Sequence, residues 1–230
     1  MKRFLMRLSC AGLIGAMAAA CAPILVGVIV AGTALVVTDR RTTGTQFDDQ
    51  TVQLRVANDL STALGKLPVH INVNSFDRKV LLTGEVPDEA VKAKAGEIAT
   101  TSPNVREVVN ELTIGAPSST SARLADTELA AKVRAAFVNT REISFNSIEI
   151  VVERGVVYLL GLVTEQEGKI AALVASKVSG VKQVVKVFEY ATREEIEKRR
   201  ALSASGATPT APASPPATPP IPGSGTTTTK

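Results

Sequence analysis

The apolar positions of this chain follow a pattern that occurs twice. Lys79-Val80-Leu81-Leu82-Thr83-Gly84-Glu85-Val86 and Val156-Val157-Tyr158-Leu159-Leu160-Gly161-Leu162-Val163 are aliphatic and β-branched runs, each closed by a glycine and a valine, as in a strand that ends at a bend. The two lie 77 positions apart, and the same offset pairs Asp49 with Asp126, Val52 with Leu129, Val56 with Val133, Ile71 with Ile148 and Val73 with Ile150. A constant offset over so much chain marks one unit built twice.

Within the first unit, Asp49 stands as an N-cap before Val52, Val56 and Leu60, whose spacing predicts a short helix broken by Gly65 and Pro68. Residues 69–73 alternate as a half-buried strand, Asp77-Arg78 makes a turn, and residues 80–86 form the second strand. Asp88 and Glu89 open a second helix with Ala95, Ile98 and Ala99 inside, Pro103-Asn104 ends it, and residues 105–114 predict a third strand. The second unit repeats the order. Asp126 caps a helix with inner face Leu129, Val133, Ala136 and Phe137, and Ile148, Ile150 and Val152 line one face of a strand opposite Glu149. Arg154-Gly155 is a hairpin turn, Thr164 and Glu167 form a capping box, and Ile170, Leu173, Val174 and Val178 make the apolar stripe of the next helix. Gly180 stops that helix, and residues 181–190 are the last strand. The predicted fold is therefore α+β: two tandem units, each a three-stranded mixed sheet packed on two helices in the order α-β-β-α-β.

The flanks differ in character. Lys2, Arg3 and Arg7 precede a run without charges over residues 8–38, the layout of an export signal. Ala18-Ala19-Ala20-Cys21 is similar to a bacterial lipobox, which makes residues 1–20 a lipoprotein signal peptide and Cys21 the site of lipid attachment. An uncleaved anchor is the alternative, since about 20 apolar residues span a bilayer. Residues 21–48 then read as an acylated apolar anchor and polar spacer, 49–116 as the first unit, 117–123 as a linker and 124–192 as the second unit. Residues 193–200 are a charged, solvated helical extension. Residues 201–230, built of alanine, proline, serine, threonine and glycine, are too poor in apolar surface to order themselves.

Composition narrows the chemistry. The net charge of +4 falls to +1 once the three leader cations are set aside, and no basic run is interleaved with aromatics, which argues against nucleic acid. Aromatics make up 3% and there is no Trp, so small cores must be filled by Val, Ile, Leu and Ala. Both cysteines, Cys10 and Cys21, precede the folded units, and His70 is the single histidine. Neither a thiolate metal site nor a nucleophile–base set is in view, no cofactor is called for, and the reading is non-enzymatic.

The aspartate-led helix, the hairpin ending Gly155-Val156-Val157-Tyr158-Leu159-Leu160-Gly161-Leu162-Val163, the alanine-rich helix and the closing Ser179-Gly180-Val181-Lys182-Gln183-Val184-Val185 resemble the BON domain (bacterial OsmY and nodulation domain). The first copy departs at Arg78, where the turn glycine is usual, and at Ser102-Pro103-Asn104-Val105. With the lipobox, the two copies resemble the dual-BON outer-membrane lipoproteins. That resemblance implies a periplasm-facing, lipid-anchored protein of the outer membrane. An inner-membrane anchor is the alternative, and Ala22 after the cysteine points to the outer membrane. It also implies binding of anionic phospholipid by the second unit, in support of envelope integrity, through a tryptophan whose matching position here is Glu128.

The candidate contacts for anionic lipid are Lys132, Arg134 and Arg141, on outer or flanking positions of the helix that carries Leu129 inside. Each cation near an anionic leaflet is worth about 1 kcal/mol. An ordinary solvated helix face explains the same residues, and Glu128 subtracts from the patch. Glu165 and Glu167 are better explained by helix capping than by paired-carboxylate catalysis, and His70 is expected to face solvent from its strand. Gly84 and Gly161 are too isolated to cradle phosphate. The alternative function is a structural adaptor that binds other envelope proteins or peptidoglycan without lipid specificity.

Overall fold

The computed structural model describes residues 40–204. The expected signal peptide and apolar anchor, with Cys21, and the tail from residue 205 lie outside the described residues. The element order is α1 (Thr43–Leu64), β1 (His70–Phe76), β2 (Lys79–Val86), α2 (Glu89–Thr101), β3 (Glu107–Asn110), β4 (Thr113–Ile114), α3 (Thr120–Val138), a single 3-10 turn (Phe145–Ser147), β5 (Ile148–Glu153), β6 (Val156–Val163), α4 (Glu165–Ser176), β7 (Gln183–Tyr190) and α5 (Arg193–Ala204). In each unit the long second strand is central. β2 pairs antiparallel with β1 and parallel with β3 and β4, and β6 pairs antiparallel with β5 and parallel with β7. Both sheets are mixed, and the α+β expectation holds for both units.

Alternation along the central strands sorts the core into three layers. Val80, Leu82 and Val86 face the helices with Val52, Val56, Leu60, Ala95 and Ala99, while Val157, Leu159 and Val163 meet Val133, Phe137, Ala171 and Ala175 in the second unit. The other face of each central strand turns toward the other unit. Leu81 and Phe76 share an apolar layer with Tyr158, Leu160, Leu162, Val187 and Ile196. The sheets thus stack on each other with helices outside, which buries surface that neither small unit could bury alone.

Several local expectations are corrected. The polar spacer expected up to residue 48 is helical at its end: α1 begins at Thr43, capped by the Thr42 hydroxyl, which accepts from the Thr45 amide at 3.1 Å. Likewise α3 begins at Thr120 with Ser119 as its cap. Asp49 and Asp126 lie a turn or two inside these helices and cap the hairpins instead. Asp49 accepts from the Asp77 and Arg78 amides at 2.8 and 2.7 Å, and Asp126 from the Arg154 and Gly155 amides at 2.8 Å each. Those turn residues have φ of 48° and 63° in one unit and 55° and 78° in the other, the left-handed pair that a two-residue hairpin demands.

The predicted third strand over residues 105–114 is broken between β3 and β4. There Asn110 donates to the Lys92 carbonyl and accepts from the Leu112 amide, and Leu112 turns into the core. Gly180 lies beyond the end of α4, whose cap is Lys177. The extension α5 is more than a solvated helix. Ile196 is buried in the layer between the sheets, and Arg199 reaches Asp77 of the first unit at 3.3 Å and Glu189 of the second at 3.2 Å. Gly84 and Gly161 sit inside their strands, because a Cβ at either would stand 2.0 Å from the His70 carbonyl oxygen or 2.4 Å from that of Ser147.

Candidate functional site

The inner stripe of α3, Asp126, Leu129, Val133 and Phe137, is fixed against the second sheet, and this sets what the helix presents outward. Leu124 and Val138 are 65% and 55% exposed. Fourteen residues separate them, about 21 Å along the axis at 1.5 Å per residue, and at about 100° per residue they fall on one line of the helix with Ala131 and Ala135 between. Lys132 flanks that line on one side, about 80° round the helix. Arg134 and Arg123 flank it on the other by a similar angle. Beside α3, Leu173 of α4 is 55% exposed, although the apolar stripe of that helix had it inside.

Of the three predicted contacts, Lys132 and Arg134 are exposed on opposite flanks of one ridge. Arg141 is exposed in the turn beyond the helix. Lys132 pairs with Glu128 at 2.7 Å, and the hydrogen bond and charge of that lysine hold the Glu128 carboxyl below its usual range. Leu124 and Val138 show in the sequence only as bulky apolar residues off the inner stripe, and Arg123 falls in the linker expected over residues 117–123. α1 presents a comparable line through Phe47 and Leu54, 69% and 67% exposed, with Asp48, Gln50 and Asn58 around it and Arg55 in the place of Lys132. Its Arg55 donates to the Pro103 carbonyl at 3.4 Å.

His70 does not face solvent. Its Nδ1 lies 3.1 Å from Glu85 Oε2 and 4.0 Å from Glu153 Oε1, between the two units. Burial pushes the Glu153 carboxyl up, against the Asn72 amide that donates to it at 2.8 Å and against the histidine. Glu165 and Glu167 stand at the N-terminus of α4, as capping requires. Thr164 and Glu167 form the reciprocal capping box, and Glu167 also takes a two-pronged contact from Arg40 at 2.6 and 2.9 Å. Burial opposes ionisation of Glu167, but Arg40 and the Thr164 amide and hydroxyl outweigh it and hold the carboxyl down to about 2. No helix among the described residues is long and apolar enough to cross a membrane.

Two stacked α-β-β-α-β units are the architecture expected of tandem BON domains. The BON domain model matches residues 48–116 and 125–192, and the chain belongs to the BON-domain family. It is 39% identical over 158 residues to the outer membrane lipoprotein DolP of Haemophilus influenzae, covering 68% of this chain and 82% of that one. It is also 31% identical over 153 residues to a 21 kDa hemolysin of Actinobacillus pleuropneumoniae, covering 66% of this chain and 79% of the other.

Proposed function

We propose that this chain is an envelope lipoprotein, tethered through Cys21, whose second unit binds anionic phospholipid and thereby supports outer-membrane integrity. The observation that carries the reading is the amphipathic outer face of α3. Leu124 and Val138 offer apolar side chains to the interfacial zone of a bilayer, while Lys132, Arg134 and Arg123 flank them at headgroup level. Similarity to an outer membrane lipoprotein supports the location, and the small-residue run before Cys21 supports the tether. The function is binding rather than catalysis, in keeping with the BON architecture. A second reading, an adaptor for other envelope components, is favoured by the Phe47 and Leu54 line of α1, where Asp48 stands beside the line and the flanking Arg55 is engaged by the Pro103 carbonyl, an arrangement that suits a protein contact better than an anionic surface.

Vesicle sedimentation tests the lipid reading. With Lys132 and Arg134 both changed to glutamate, two attractions of about 1 kcal/mol each become repulsions, so binding to anionic vesicles falls at least about thirtyfold. Unfolding stays unchanged, because both side chains are exposed. Glu128→Trp tightens binding by adding an interfacial ring. Retention of full vesicle binding by the double variant sinks the lipid reading and leaves the adaptor. The tether is checked separately by mass spectrometry of the mature protein, which should begin at an acylated Cys21.

A further inference from the structure

The two units place different chemistry at equivalent positions of the layer between their sheets. Glu85 of β2 corresponds to Leu162 of β6, and Glu153 of β5 corresponds to Phe76 of β1, 77 positions apart in each case. Leu162 and Phe76 belong to the apolar layer. Glu85 and Glu153 occupy the equivalent places in the repeat as carboxylates, 0% and 5% exposed. A buried carboxylate is costly unless something compensates it.

The compensation is incomplete in a directed way. Glu85 Oε2 accepts from His70 Nδ1 at 3.1 Å and from the Ser118 amide at 3.0 Å, and Glu153 Oε2 accepts from Asn72 at 2.8 Å. The second oxygens, Glu85 Oε1 and Glu153 Oε1, are buried without a hydrogen-bond donor among the described residues. The Arg154 guanidinium stands 3.6 Å from Glu85 Oε1 on a half-exposed side chain. One ligand atom each from His70, Glu85 and Glu153 can be chosen so that all lie within 4.8 Å of one another. A cleft of about 440 Å³ that includes His70, Asn72 and Glu153 in its wall adjoins the cluster.

We propose that His70, Glu85 and Glu153 form a site for a divalent transition-metal ion, of the Zn²⁺ class, that clamps the two units together. One imidazole nitrogen and two carboxylates suit Zn²⁺ better than the all-oxygen cations. Ligand bonds of about 2.0–2.2 Å would be reached by small shifts of side chains already this close. Asn72 and the Ser118 amide hold the outer oxygens of the two carboxylates, as supporting groups around a metal do. Binding takes the lone pair of the ligating His70 nitrogen, any proton there leaving to solvent, and displaces the nearby Arg154 guanidinium, which swings toward solvent. The ion thus ties β1 and β2 of the first unit to the β5–β6 turn of the second.

Because His70 is the single histidine, its imidazole resonances report the site directly. The full chain in detergent is freed of metal by dialysis and titrated with Zn²⁺ at neutral pH. The His70 signals are expected to shift and saturate at one equivalent, with a rise in melting temperature. His70→Asn and Glu153→Gln, close in shape to the parent residues, should each weaken binding at least about tenfold. Arg154→Gln should tighten it by removing a competing cation. Unmoved His70 resonances overturn the site, as does affinity unchanged from the parent in both variants.

Discussion

Removing the carboxylate of Asp126 should loosen the second unit through its hairpin and not through its helix. The side chain accepts from the Arg154 and Gly155 amides at 2.8 Å each, and both turn residues are held at positive φ. A hydrogen bond to a charged group contributes about 1.5–3 kcal/mol, and Asp126→Ala breaks two. Water entering the vacated space recovers part of that, so the expected loss is about 2–4 kcal/mol, a large share of the stability of a small unit. Had Asp126 been a helix cap, the loss would be about 1 kcal/mol. Urea unfolding followed by circular dichroism separates the two, with tyrosine emission, from Tyr158 in the layer between the units and Tyr190 at the end of β7, as a second probe. Asp126→Asn keeps one acceptor and should fall between. Asp49→Ala should cost more than Asp126→Ala, because Asp49 also takes bonds from Ser75 at 3.0 Å and Arg41 at 2.9 Å, and no glycine eases its turn. A loss below about 1 kcal/mol at both aspartates would refute the reasoning.

Arg78 occupies φ 63° where Gly155 serves in the second unit, so Arg78→Gly should stabilise the chain by about 0.5–1 kcal/mol in the same unfolding assay. A destabilised variant would mean the Arg78 side chain contributes more than its backbone strain costs. The Glu167 carboxyl, held at about 2 when folded, ionises less readily in the unfolded chain. Its stabilising contribution is therefore fully present above about pH 4.5 and is lost as pH falls toward 2, amounting to about 1 kcal/mol after solvent screening. The gap in melting temperature between parent and Glu167→Gln should narrow as pH falls from 5 toward 2, and a gap that stays constant over that range contradicts this account.

The repeat made much of the fold legible in the sequence. The apolar offset of 77 placed both central strands, and the helix stripes Val52, Val56, Leu60 and Val133, Phe137 are buried as read. The aspartates misled because an acidic residue ahead of an apolar periodicity is also how a helix cap looks. Their partners are turn amides 28 or 29 residues away, a separation that local pattern does not encode. His70 misled for a related reason. In one unit alone, the face carrying Leu81, Thr83 and Glu85 would meet water, and only the stacking of the sheets buries it. The continuous apolar run of Val156 to Val163 was the available sign that a second face needed cover. On α3, attention to charge found Lys132 and Arg134 but passed over Leu124 and Val138, which give the face its apolar ridge.

The claim that α3 meets the membrane can be measured at the residue that would enter first. The chain contains no Trp, so Leu124→Trp introduces a single reporter on the exposed ridge, and Phe47→Trp places one at the matching position of the first unit. Emission of the position-124 reporter should shift to the blue on adding anionic vesicles and return on raising salt, while the position-47 reporter stays unchanged. A blue shift confined to the position-47 reporter, or none at either, would contradict the assignment of lipid binding to the second unit.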